Sequence, residues 1–130
     1  MINTNQLIPQ HKHDLERVEL LKKQPIEKLK PILPEILEWL QDGNWPIAEP
    51  IENVLLNFEE ELIPYIREIF STNDGCWKYF LLHGLIRKLP DYTLKELKAD
   101  LNRMLNTPTE DEKQEELDDI LIELLERVGR

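Results

Sequence analysis

Residues 33–58 read LPEILEWLQDGNWPIAEPIENVLLNF, and residues 63–89 read IPYIREIFSTNDGCWKYFLLHGLIRKL. The two stretches follow one grammar. Leu33-Pro34 answers Ile63-Pro64, Ile36 answers Ile66, Leu40 answers Phe70 and Trp45 answers Trp77. The offset is about 30 residues in the first half and about 32 in the second, a period in the range of stacked helix pairs. Within each stretch the apolar residues recur at helical spacing, as in Ile47, Ile51, Val54, Leu55 and Phe58 or in Trp77, Phe80, Leu81, Leu85 and Leu89. A helix pair of this kind hides its apolar side only against a neighbouring pair. The expected fold is therefore all-α, an α-α superhelix of stacked antiparallel helix pairs with about six or seven helices.

Working outward, the segment before the repeat opens with a polar stretch, Met1 to Gln10, expected to be a flexible arm at 1–10, followed by a single helical-repeat domain over 11–130. Asp14 is placed to cap a short helix carrying Leu15, Val18 and Leu21, and Pro25 ends it. Pro31 and Pro34 each remove a backbone donor, so a short turn over Ile26–Lys30 is expected to stop before a firmer helix begins near Pro34. That helix should close at Asp42-Gly43 with Gly43 left-handed, and Asn44 should cap the next, with Pro46 in its first turn and Pro50 kinking it. Asn73-Asp74-Gly75 is the corresponding turn of the second pair. After it, Thr93 with Glu96 and Thr109 with Glu112 each have the spacing of a capping box. The last two helices, through Leu101 and Met104 and through Leu117 to Val128, are expected to cover the open end of the stack.

Composition narrows the function. The 130 residues are 41% hydrophobic and 32% charged, enough to bury a core in one domain. The net charge of −10 excludes a polyanion-binding surface, so no nucleic acid is expected as partner. No apolar run is long enough for a signal peptide or a membrane span, and Cys76 is the only cysteine. A reducing, cytoplasmic setting follows as the expectation.

Chemistry is sparse. His11 and His13 beside Asp14 lack the partners a metal site needs, and Asp14 has a capping role instead. His83 has no paired Ser, Cys or carboxylate in view, and Cys76 sits near a helix start without a partner motif. Neither cofactor nor metal is expected, and no catalytic residue is assigned. The densest unusual segment is Trp39-Leu40-Gln41-Asp42-Gly43-Asn44-Trp45-Pro46, where two indoles flank a polar turn. They either seal the turn by packing or anchor a partner. The candidate contacts are Trp39, Asp42, Asn44 and Trp45, together with the acidic run Glu59, Glu60 and Glu61.

WLQDGNWPIA at 39–48, with KPILPEILEWLQD upstream and the start HKHDLERVELL, resembles a largely bacterial family known as domain of unknown function 5071. The resemblance runs from about Pro9 to Leu105 and implies a helical fold related to HEAT repeats. It brings no activity and no site residues. Gly43 departs from it, standing where a larger residue is expected.

The leading expectation is a non-catalytic protein-binding module with an unidentified protein partner. A second is an acidic immunity-type inhibitor of a toxin, for instance a nuclease, contacting it through Thr109 to Arg130, where −6 of the net charge lies. A third is an enzyme whose site gathers His83, Cys76 or paired carboxylates.

Overall fold

The computed structural model describes residues 4–129, with side chains from Gln6 onward. Among them the chain is helical throughout, without a strand. Helix α1 spans Leu15–Lys22, and α2 is an unbroken helical run over 26–40. Helix α3 is Ala48–Leu55 and α4 is Ile63–Phe70. Helix α5 covers 75–86 and α6 covers 91–106. A short turn of helix, Glu110–Gln114, precedes α7 at Asp118–Arg127. No helix among the described residues is long and apolar enough to cross a membrane.

Consecutive elements pack in sequence. Helix α3 lies between α1 and the end of α2 on one side and residues 82–86 of α5 on the other, and α4 packs on α5. Helices α6 and α7 pair, and α7 also reaches residues 82–86. Leu7, Ile36, Ile51, Leu55, Ile66 and Leu85 are all fully buried in one continuous core.

Several expectations change for physical reasons. The stretch expected to be a free arm is docked where it is described: Leu7 is buried, and Arg17 Nε donates to the Gln6 carbonyl at 2.9 Å. Met1 to Asn3 lie outside the described residues. The two prolines do not split α2. Each falls in the first turn of a fresh helical segment, Pro31 in the 3₁₀ turn Lys30–Ile32 and Pro34 in Leu33–Leu37. A first turn has no intrahelical use for those N–H groups, so losing them costs little. Pro50 likewise lies in the first turn of α3, because that helix starts at Ala48 and Asn44 does not cap it. Gly43 is not left-handed. A Cβ there would come within 2.6 Å of the Phe80 ring, so the turn needs glycine for space. Helix α6 begins at Asp91, which puts Thr93 inside it, buried and without a hydrogen-bond partner for Oγ1 among the described residues. The box at Thr109 and Glu112 forms as expected, with Thr109 N–H donating to Glu112 Oε1 at 3.0 Å. Asp14 caps α1, its Oδ1 accepting from Arg17 N–H at 3.4 Å.

Two backbone features carry expectations of their own. A Cβ on Gly75, at the start of α5, would collide with the Asp111 carbonyl. Backbone cannot swing aside as a side-chain tip can, so Gly75→Ala is expected to lower stability by about 1–3 kcal/mol in a urea titration. Glu59, in the 3₁₀ link Leu56–Leu62, has φ 50° and ψ −119°, a conformation that favours glycine. Glu59→Gly is expected to raise the unfolding midpoint, gaining up to about 1 kcal/mol from relieved strain, with the same titration as the check.

Candidate functional site

Helix α2 turns its polar side outward, and the side chains along it border two grooves. The first is lined by Ile8, Pro9, Glu35, Glu38, Trp39, Gln41 and Trp45, with a volume of about 340 Å³. Trp39 and Trp45 meet edge to face, with ring centroids 5.5 Å apart and planes at 62°. The polar turn holds them there: Asp42 Oδ1 accepts from Asn44 N–H at 2.8 Å, Asp42 O from Trp45 N–H at 3.1 Å, and Trp45 O from Ala48 N–H at 3.0 Å. Both indoles are half-buried. They therefore pack and present a ring edge at once.

The second groove lies between α2 and α4, lined by Pro34, Leu37, Glu38, Tyr65, Glu68, Ile69, Thr72 and Trp77, with a volume of about 290 Å³. Asp74 orients Trp77 by accepting its backbone N–H at 3.0 Å. The indole Nε1 of Trp77 is buried without an acceptor among the described residues.

The sequence repeat relates part of the two linings. At the offset of about 30 residues that aligns the first helices, Glu35 falls on Tyr65, Glu38 on Glu68 and Trp39 on Ile69. At the later offset of about 32, Trp45 falls on Trp77. The linings thus match in part only, since the second groove also takes Pro34, Leu37 and Glu38 from the first pair and the first takes Ile8 and Pro9 from outside the repeat. Glu35, Glu38 and Glu68 are exposed, and among the described residues none of the three forms an ion pair. Neither groove is lined by a lysine or arginine. One face accordingly gathers three uncompensated carboxylates and four half-buried aromatic rings, those of Trp39, Trp45, Tyr65 and Trp77.

Of the residues singled out by sequence, Trp39 and Trp45 come together on this face. Asp42 shapes the turn. Asn44 faces a different cleft, lined also by Glu49, Glu52, His83, Gly84 and Lys88. Glu59, Glu60 and Glu61 are exposed on the 56–62 link and border neither groove. Glu61 pairs with Lys30 at 2.8 Å, and a hydrogen bond to Glu59 raises the Tyr92 pKa. Glu35, Glu38, Tyr65, Glu68 and Trp77 line these grooves without having been singled out from the sequence as contacts. The signal was present in the repeat, since Glu38 and Glu68 match as well as the prolines do.

The cleft near Asn44 is the place to look for acid–base chemistry. Residues 82–86 form a π-helical turn, and Gly84 leaves room for the Glu52 carboxylate, which a Cβ would displace. Glu52 Oε1 is already paired with Lys88 Nζ at 2.7 Å. His83 stacks on Tyr79 with centroids 4.3 Å apart, and burial, helped by Arg87, lowers its pKa below the ordinary value. The Cys76 thiol is pushed up by burial and by Glu115, Asp74 and Asp42, which disfavours the reactive thiolate.

A family model described only as a domain of unknown function (DUF5071) matches residues 7–125. The chain belongs to this family. A search of curated proteins finds no match. The DUF5071 match takes in both grooves and passes Leu105, where the resemblance was expected to end, into α7. The reason is physical, since the C-terminal segment is an integral part of the packing: Lys78 of α5, fully buried, holds Asp111 and Glu112 of the short helix at 2.8 and 2.7 Å.

Proposed function

We propose that this protein is a non-catalytic, HEAT-like protein-binding module that takes a basic partner on the α2 face. The observation that carries the proposal is the coincidence of Glu35, Glu38 and Glu68, all unpaired, with half-buried aromatic side chains at two register-matched positions. Uncompensated carboxylates attract and orient a cationic surface, and half-buried rings offer anchoring area at small entropic cost. The partial register match of the two linings supports a repeat scaffold that presents related surfaces along one side. A single cysteine, exposed at the start of α5, supports a reducing compartment such as the cytoplasm.

The toxin-inhibitor alternative draws less support, because Asp111 and Glu112, within the acidic C-terminal segment, face inward onto Lys78. An enzymatic role draws less still, because Glu52 and Lys88 neutralise one another.

The test is selection from a random twelve-residue peptide library displayed on phage, followed by calorimetry of the enriched peptides. Enrichment of arginine and lysine is expected. Trp45→Ala together with Glu35→Gln should weaken binding by about tenfold or more, with far-ultraviolet circular dichroism checking that the variant keeps its fold. Enrichment of acidic peptides, or affinity untouched by both substitutions, would count against the α2 face.

A further inference from the structure

We infer that the groove between α2 and α4 is a docking site for an arginine side chain on a linear segment of a partner protein. The inference deepens the protein-binding function proposed above and rests on it. Leu37 and Ile69, both buried, give the groove an apolar floor and Pro34 an apolar rim, which suits the aliphatic stem of a long cationic side chain. Glu38 and Glu68, one from each wall, are exposed and carry no ion pair among the described residues, and no cation of this chain lines the groove. Tyr65 and Trp77 add aromatic rings to the lining, and a guanidinium is attracted to such rings. A planar, delocalised cation that stacks and forks to carboxylates is arginine's chemistry, whereas lysine offers a compact, strongly hydrated charge. At about 290 Å³ the groove sits at the lower edge of the range for small-molecule pockets, a size suited to one side chain.

The three tryptophans give a direct test. Their indole N–H signals in a ¹⁵N-labelled sample can be assigned by substituting Trp39, Trp45 and Trp77 singly with Phe. The probe is the pentapeptide acetyl-Gly-Leu-Arg-Leu-Gly-amide, with versions carrying lysine or neutral citrulline in place of arginine. The arginine peptide is expected to shift the Trp77 indole signal saturably. Citrulline should weaken binding by about tenfold, lysine by severalfold, and Glu68→Gln in the protein by about fivefold or more. Glu68 is exposed, so that variant is expected to keep its fold, with far-ultraviolet circular dichroism as the check. A peptide that moves only the Trp39 and Trp45 signals would overturn the arginine groove and leave the binding face standing. Equal affinity of the citrulline version would overturn it too, as would a concentration-dependent Trp77 shift without peptide, which would mean that a second copy of the chain occupies the groove. If no signal responds to any cationic peptide and library selection enriches none, the groove and the proposed function both fall.

Discussion

Glu112→Ala is expected to lower the unfolding free energy by up to about 3–5 kcal/mol, because it takes from a buried ammonium one of its two carboxylate partners. Lys78 is fully buried, and its Nζ bonds Glu112 Oε2 at 2.7 Å and Asp111 Oδ2 at 2.8 Å. Arg103 grips the same Glu112 from the other side, Nη1 to Oε1 at 3.0 Å and Nη2 to Oε2 at 2.7 Å, and Thr109 N–H adds a bond to Oε1. One carboxylate thus joins α5, α6 and the cap of the short helix, and its loss leaves Lys78 with Asp111 alone. The network's position matters as much as its charge, since Gly75 at the start of α5 already brings backbone against Asp111. Arg103→Met should cost less, because that side chain is 39% exposed and water can take over part of its role. Replacing both charges at once, Lys78→Met with Glu112→Leu, should recover much of the loss, since well-packed apolar groups can substitute for a buried pair. Urea unfolding of the three variants checks the order. A Glu112→Ala protein as stable as the parent would mean that the pair contributes nothing to holding the C-terminal segment.

How much of this was legible depends on range along the chain. Local signals read well. Asp14 caps α1, Thr109 and Glu112 form their box, and the apolar spacing places α3, α4 and α5 where the core needs them. The turn at 41–47 was recognisable from its polar residues, and the pairing of Trp39 with Trp45 across it matches the packing expectation. What failed depended on distant partners. Lys78 looks from sequence like a solvated position on a helix, and only residues 33 and 34 places further on make its burial tolerable. Gly43 reads as a left-handed cap, but the constraint is the Phe80 ring approaching from another helix. Thr93 suited a cap until Pro90, holding extended backbone, started the helix earlier. The acidic run at 59–61 drew attention because three like charges are adjacent, whereas the carboxylates on the α2 face are scattered as Glu35, Glu38 and Glu68 and converge only through helix packing.

Acid should dismantle the same clamp, with a loss on the order of 3 kcal/mol from Glu112 alone. Burial by itself would raise the Glu112 pKa. The bonds from Arg103, Lys78 and the Thr109 amide outweigh it and hold the pKa at about 2, against 4.5 for a free side chain. Asp111 and Asp14 are lowered as well: burial again acts upward, and it is outweighed by the Lys78 and Thr109 bonds in the first case and by the Gln10 amide and Arg17 in the second. The unfolded chain therefore takes up these protons at a higher pH than the folded one. The contribution from Glu112 is fully present above about pH 4.5 and disappears as the pH falls toward 2. His83 acts earlier in the same direction, since its lowered pKa means that the folded chain resists a proton the unfolded chain accepts below the ordinary value of 6.5. Urea midpoints measured from pH 7 down to pH 2.5 should fall most steeply below pH 4.5, and Glu112→Gln, though less stable at neutral pH, should show a visibly flatter acid limb. If the two proteins lose stability in parallel, the proton taken up on acid unfolding belongs to other carboxylates and the Lys78–Glu112–Arg103 clamp does not set the acid limit of this fold.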